Sequence, residues 1–275
     1  MGILDQKVAF ITGAGRGQGR SHAVRFAQEG ADIIAVDTTA TVDSVPYPLS
    51  NADDLAETAR LVEATGRRII ARDADVRDYA ALSAAVTEGV EAFGRLDIVV
   101  ANAGISSPAP TLEMDEAVWQ DMMDINLTGV WKSLKASVPR IVDGGRGGSV
   151  VITSSLAAVH ANENTAHYSA SKAGLVMLMK VLAKELAPHS IRVNTVHPST
   201  VATPMILNDA TYRLFRPDLE NPTRADFDVA ARTLNSLPVV AAEPEDITDT
   251  MLHLVSDASR YVTGTTQLVD AGGTL

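Results

Sequence analysis

At 275 residues with 46% apolar content and no Pro/Gly/Ser-rich linker, the chain suits one large domain, 1–275, rather than two. Its 23 basic against 34 acidic residues leave a net charge of -11 and no basic cluster beyond pairs such as Arg67-Arg68, which argues against nucleic acid. With no cysteine and six histidines at no metal-ligating spacing, neither a disulfide framework nor a metal site is expected. Apolar runs such as 175–179 are too short to cross a bilayer, so the expectation is a cytoplasmic protein without membrane contact.

In chain order, 7–12 reads as a short buried strand running into Gly13-Ala-Gly-Arg16-Gly17-Gln18-Gly19. A helical pattern follows through Ala23, Val24, Phe26 and Ala27 and stops at Gly30, a suitable C-cap. Strand, glycine turn and helix together make a cradle for a pyrophosphate. Glycines permit close backbone approach, and the helix N-terminus favours negative charge. A second strand, 32–37, ends at Asp37, eighteen residues after Gly19, where a carboxylate can accept the adenosine ribose hydroxyls. Asp37 would repel the extra phosphate of NADP and so favours NAD; Arg16 pulls the other way, because a basic residue in the turn can meet that phosphate.

Further short apolar runs at 68–74, 96–101, 149–154, 191–196 and 266–270 alternate with helical patterns, including 52–63 and long helices around 115–142 and 165–187. This βαβα order predicts an α/β, single-domain, doubly wound Rossmann fold with a mostly seven-stranded parallel sheet and helices on both faces. The stretch from 205 to 243 reads as irregular, with Pro217, Pro222 and Pro238 among mixed charges. Most informative chemically is Tyr168-Ser-Ala-Ser-Lys172. Residues at i and i+4 share a helix face, so phenol and ammonium can enter one cleft, and an adjacent cation lowers a tyrosine pKa. Ser155, thirteen positions earlier, can hold a carbonyl or alcohol oxygen beside that phenol.

Through the turn Thr12-Gly-x-x-x-Gly17-x-Gly19 and the set Ser155, Tyr168, Lys172, nearly the whole chain resembles the short-chain dehydrogenase/reductase superfamily. The resemblance implies hydride transfer between NAD and a small-molecule secondary alcohol or ketone. Tyr168 would be the acid/base, Ser155 would orient the oxygen, and Lys172 would tune the tyrosine and bond the nicotinamide ribose. It also implies that Asp75 and Val76 contact adenine and that Asn102-Ala103-Gly104 borders the cofactor, with Ala101 in place of the usual first asparagine. Asn126 would support a water relay behind the lysine, and Pro198, Val201 and Thr203 would flank the nicotinamide, with Ser199 in place of a usual glycine. A homotetramer built from the two long helices and a substrate lid at about 205–243 complete the implied picture.

Three departures sharpen the resemblance. Gln18 replaces an aliphatic residue between the turn glycines, the 38 residues from Asp37 to Asp75 leave room for an insertion at about 38–51, and the lid opens with Thr203-Pro-Met-Ile206. These are similar to the carveol-dehydrogenase-like, mycofactocin-coupled branch, whose nicotinamide is held tightly and reoxidised in place by mycofactocin as redox partner. The main rival is an NADPH-dependent 3-oxoacyl-(acyl carrier protein) reductase, which would share every catalytic residue and has Arg16 as its local support. A cofactor-sensing regulator has no chemical need for the intact Ser155, Tyr168 and Lys172 set, and a sugar-nucleotide epimerase needs a larger C-terminal domain than this chain supplies.

Overall fold

In the computed structural model, which describes residues 2–275, the apolar runs form seven strands: β1 (Val8–Thr12), β2 (Asp32–Asp37), β3 (Ile69–Asp73), β4 (Ile98–Ala101), β5 (Gly148–Thr153), β6 (Ile191–Pro198) and β7 (Thr266–Val269). All pair in parallel in one sheet of order β3-β2-β1-β4-β5-β6-β7. Because side chains alternate across a strand, each of the five inner strands feeds two cores, while the edge strands β3 and β7 stay partly exposed. Phe10, Ile34, Val36, Val99, Val150 and Ile152 enter one. Ala9, Ile11, Ile33, Ala35, Val100 and Val151 enter the other. Burial on both faces explains why these runs carry no polar alternation.

The second core is covered by α1 (Gly17–Gln28), α2 (Ala52–Glu63) and, from the far end of the chain, a helix over Pro244–Val255. Phe26 of α1 is fully buried there, a contribution of about 1.5–3 kcal/mol. α1 stops as expected: Gly30 adopts φ +100, its N–H donates to Ala27 O at 2.9 Å, and that of Ala31 donates to Phe26 O at 3.0 Å. α2 begins with a reciprocal cap in which Asp54 N–H donates to Asn51 Oδ1 and Asn51 N–H to Asp54 Oδ2.

The first core is covered by α3 (Tyr79–Phe93), α4 (Glu116–Met123), α5 (Val130–Gly144) and α6 (Ala166–Leu186). The helix expected around 115–142 is not continuous. A π-helical turn over Asp124–Gly129 separates α4 from α5 and puts Asn126 inside it, fully buried. Such turns interrupt the regular hydrogen-bond ladder and frequently mark functional sites.

The stretch 205–243 is likewise more ordered than its prolines suggest. It contains α7 (Asp209–Phe215) and α8 (Arg224–Arg232), with α9 (Pro244–Val255) directly after. Asn208 caps α7, Thr223 and Asp226 box the start of α8, and buried Phe227 packs on Tyr212 and Phe215 with ring centroids 5.3 and 4.9 Å away. A small aromatic cluster, rather than periodicity, holds this segment. Among the described residues no helix is long and apolar enough to cross a membrane.

Candidate active site

Strand order reverses direction between β1 and β4, so the loops after their C-terminal ends diverge and leave a cleft, the usual ligand position in such sheets. The glycine turn forms one side of it. Gly13 (φ +67) and Gly17 (φ +55) use left-handed backbone, and a Cβ on Gly19 would lie 2.0 Å from Gly13 O. The turn is therefore shaped for backbone approach to a charged group at the start of α1. Gln18 Oε1 is buried there without a protein partner. Asp37 accepts Gly15 N–H at 2.7 Å and Thr38 N–H at 2.8 Å, and it faces the cleft; burial raises its pKa against the pull of those bonds and of Arg16. Arg16 is engaged, its Nη2 donating to Pro48 O.

The opposite wall is the segment after β4. Thr12 Oγ1 accepts the N–H groups of Asn102 (3.0 Å) and Ala103 (3.1 Å), while Asn102 Nδ2 donates to Thr12 O (3.2 Å) and Gly13 O (3.3 Å). Asn102 thus braces the turn instead of presenting a free amide. Asn126 holds the same wall from beneath: its Oδ1 accepts Ile105 N–H at 2.8 Å and its Nδ2 donates to Ile105 O at 2.9 Å. Gly104 lies between Asn126 and Lys172, where an added Cβ would meet Asn126 Oδ1 at 3.2 Å and Lys172 Nζ at 3.3 Å. Asp75 and Val76 line the far end. Burial acts to raise Asp75, but the Arg77 side chain, 2.7 Å away, and its backbone N–H hold the carboxyl below its ordinary range.

Ser155, Tyr168 and Lys172 meet on one side of this cleft. The Ser155 hydroxyl accepts Ala157 N–H at 3.1 Å, so its own proton is left to donate. Lys172 is 3% exposed; its Nζ donates to Thr153 O at 2.9 Å, and its backbone carbonyl accepts the Ser154 hydroxyl at 2.9 Å. Burial pulls the Lys172 pKa down to about 8. The expectation of a lysine-lowered tyrosine is not met in the protein alone. Tyr168 is raised, because burial outweighs the opposing hydrogen bond from Ser155. The physical reason is placement: Nζ lies 5.7 Å from the ring centroid and is turned to a backbone carbonyl.

Pro198 at the end of β6 and the loop after it, with Val201 and Thr203, complete the cleft. Val201 is buried in an isolated bridge to Ala242, and the methyl of Thr203 comes close to Gly17. Ser199, in place of the usual glycine, has no left-handed backbone, and its N–H donates to Val269 O at 3.2 Å, so a side chain is tolerated.

The insertion, 38–51, is tied to the rest of the fold at several points. Thr39 donates to Asp73, Ser44 Oγ to Asp121 Oδ2 at 2.8 Å, and Tyr47 Oη accepts Ser106 N–H at 3.0 Å. Tyr47 was not among the residues expected in the site, yet it is 7% exposed and lines the cleft near Tyr168. Its signal in the sequence was an aromatic ring between two prolines, flanked by the apolar Val42, Val45 and Leu49, within the insertion. His197 was also missed; its Nδ1 lies 2.9 Å from Ser155 O. Among the described residues no cluster of three potential metal ligands occurs.

The arrangement can hold an anionic dinucleotide along the glycine turn and exchange a proton with an oxygen placed between Ser155 and Tyr168. Residues 7–211 match the family model for short chain dehydrogenases. The (-)-trans-carveol dehydrogenase of Rhodococcus erythropolis is 52% identical over 276 residues, covering 100% of each chain. Among solved structures, a carveol dehydrogenase from Mycobacterium avium in complex with NAD superposes with a TM-score of 0.98 at 54% identity, covering 100% of this chain and 99% of that one. A short chain dehydrogenase from Mycobacterium paratuberculosis bound to NAD gives 0.91 at 48% identity, with 99% of both chains covered. Since the likeness runs from end to end and takes in the cleft as well as the sheet, the chain belongs to the short-chain dehydrogenase family, in its carveol-dehydrogenase-like branch.

Proposed function

We propose that the protein is an NAD-dependent dehydrogenase that interconverts a secondary alcohol and its ketone, with Tyr168 as the acid/base. The observation that carries the reading is the convergence of the Ser155, Tyr168 and Lys172 side chains at one end of a cleft whose other end is the glycine turn and Asp37. The residues fit NAD: Gly13, Gly17 and Gly19 form a cradle that side chains would fill, and two Asp37 contacts leave lone pairs for ribose hydroxyls. Bound there, the nicotinamide would supply the hydride acceptor. The Ser155 proton would hold the substrate oxygen, and the Tyr168 phenolate would take the hydroxyl proton. Lys172, cationic at neutral pH, would supply the positive charge that the phenolate needs and a bond to the nicotinamide ribose; Asn126, behind it, would support the path by which the proton leaves.

The insertion supports a finer reading. Its adjacent Tyr47 and Pro48 bridge Ser106 beside the catalytic wall and Arg16 beside the glycine turn, so it would close over a dinucleotide lying between them. Such a strap suits a cofactor that stays bound and is reoxidised in place, with mycofactocin as the redox partner. A homotetramer built on α4, α5 and α6 is supported by the exposed Trp119, Trp131, Met177 and Val181 on those helices. The NADPH-dependent 3-oxoacyl reductase keeps Arg16 as its local support, since the guanidinium gives one N–H to Pro48 O and still lines the cleft, but the Asp37 carboxylate beside it favours NAD. The test is mass spectrometry of protein purified without added cofactor, followed by a secondary-alcohol turnover assay. Retained NAD(H) and ketone formation are expected. An empty site would overturn the tight-binding reading, and a protein that accepts only NADPH would overturn the cofactor assignment.

A further inference from the structure

We propose that His197 is a positioning residue for the reaction: it holds the Ser155 backbone so that the serine hydroxyl faces the Tyr168 phenol. The proposal rests on the reading of Ser155 as the group that binds the substrate oxygen.

Ser155 sits just beyond the end of β5, in extended backbone that opens a short 3-10 turn over Leu156–Ala158. Its hydroxyl accepts the N–H of Ala157 and faces the Tyr168 phenol. Its carbonyl accepts two donors: Ala158 N–H at 3.0 Å within the turn, and His197 Nδ1 at 2.9 Å from β6. Only the second anchors the residue to the sheet. A carbonyl can only accept, so Nδ1 must carry the proton. In the neutral ring Nε2 is then the acceptor, and it lies 2.8 Å from Thr195 Oγ1, two residues back on the same strand. Thr195 is itself fully buried, and its one hydroxyl proton has two acceptors in reach, Thr265 O at 3.5 Å and His197 Nε2 at 2.8 Å, of which the shorter contact takes it. The result is a directed chain from Thr195 O–H to His197 Nε2, and from His197 Nδ1–H to Ser155 C=O.

Both ring nitrogens are therefore used, in a ring that is fully buried. Burial and then the nearby Lys172 charge hold the ring neutral, against the pull of the Ser155 carbonyl. A neutral ring has a further advantage here, because it adds no second cation beside Lys172. The imidazole does not reach the cleft, so its effect on turnover must pass through Ser155.

The experiment compares three variants in the holoenzyme. His197→Leu removes the donor. His197→Asn keeps a donor close to the Nδ1 position, and Thr195→Val removes the group that fixes the tautomer. With Ser155 free to drift by a fraction of an ångström, His197→Leu is expected to lower kcat by about tenfold or more with NADH affinity within about twofold of wild type. His197→Asn is expected to recover most of that loss, and Thr195→Val to show a smaller loss than His197→Leu. Two-bond 1H–15N spectra are expected to report a neutral, Nδ1-protonated ring. A fully active His197→Leu, or a His197→Asn no better than His197→Leu, overturns the proposal. A Ser155→Ala control separates the two readings: if it is fully active, the role of Ser155 has failed, and if it is inactive while His197→Leu is normal, only the role of His197 has failed.

Discussion

Tyr47→Phe tests the strap directly. The substitution deletes one atom: the ring stays in its pocket, where the tyrosine is 7% exposed, and only the oxygen that accepts Ser106 N–H at 3.0 Å is lost. A neutral hydrogen bond contributes about 0.5–1.5 kcal/mol net, so the closed strap should lose about 1 kcal/mol. With tenfold corresponding to about 1.4 kcal/mol, NADH should leave about fivefold faster. Stopped-flow fluorescence measures this by displacing bound NADH with excess NAD. Ser44→Ala, which frees the same segment from Asp121, should act in the same direction. Release rates indistinguishable from wild type in both variants would refute the strap.

Tyr168→Phe should leave NADH binding intact and lower turnover by about 10²–10⁴-fold, read by steady-state kinetics and fluorescence titration. Gly19→Ala should abolish NADH binding, because its Cβ would lie 2.0 Å from Gly13 O; titration at wild-type affinity would contradict the cradle. Asp37→Ser should narrow the preference for NADH over NADPH in competitive titration, since it removes the carboxylate that repels a 2'-phosphate. His22 predicts an acid-labile fold. Fully buried, with Nδ1 2.7 Å from Thr248 Oγ1, its pKa is lowered to about 3 by desolvation. A depressed histidine binds fewer protons folded than unfolded, so stability is full above the ordinary pKa of 6.5 and falls as pH drops toward 3. The loss is about 1.4 kcal/mol per pH unit, or about 2 kcal/mol at pH 5, measured by urea unfolding at pH 5 and 7. His22→Gln should flatten that dependence even if its stability at pH 7 is lower.

Local features carried much of the architecture. Short apolar runs bounded by Gly, Asp and Asn mark the strands, and all seven strands and their parallel direction followed from the alternation with helices, whereas the order of the strands in the sheet did not. The glycine turn was equally legible, because left-handed φ and close approach are demands that a residue type meets by itself. The same holds for Tyr168 and Lys172, placed together by helix periodicity alone.

What only the tertiary structure decided are the properties that depend on distant neighbours. The pairs Tyr47 with Ser106 and His197 with Ser155 lie 59 and 42 residues apart, and no local period encodes such contacts. The π turn at Asn126 depends on the Ile105 backbone it grips, and the two helices within 205–243 depend on an aromatic cluster around Phe227. Most of all, spacing put an ammonium near a phenol, but desolvation set the direction of both: Lys172 falls to about 8 and Tyr168 rises. A residue's type and spacing establish which groups can meet. Their charge states depend on how much water the rest of the fold removes.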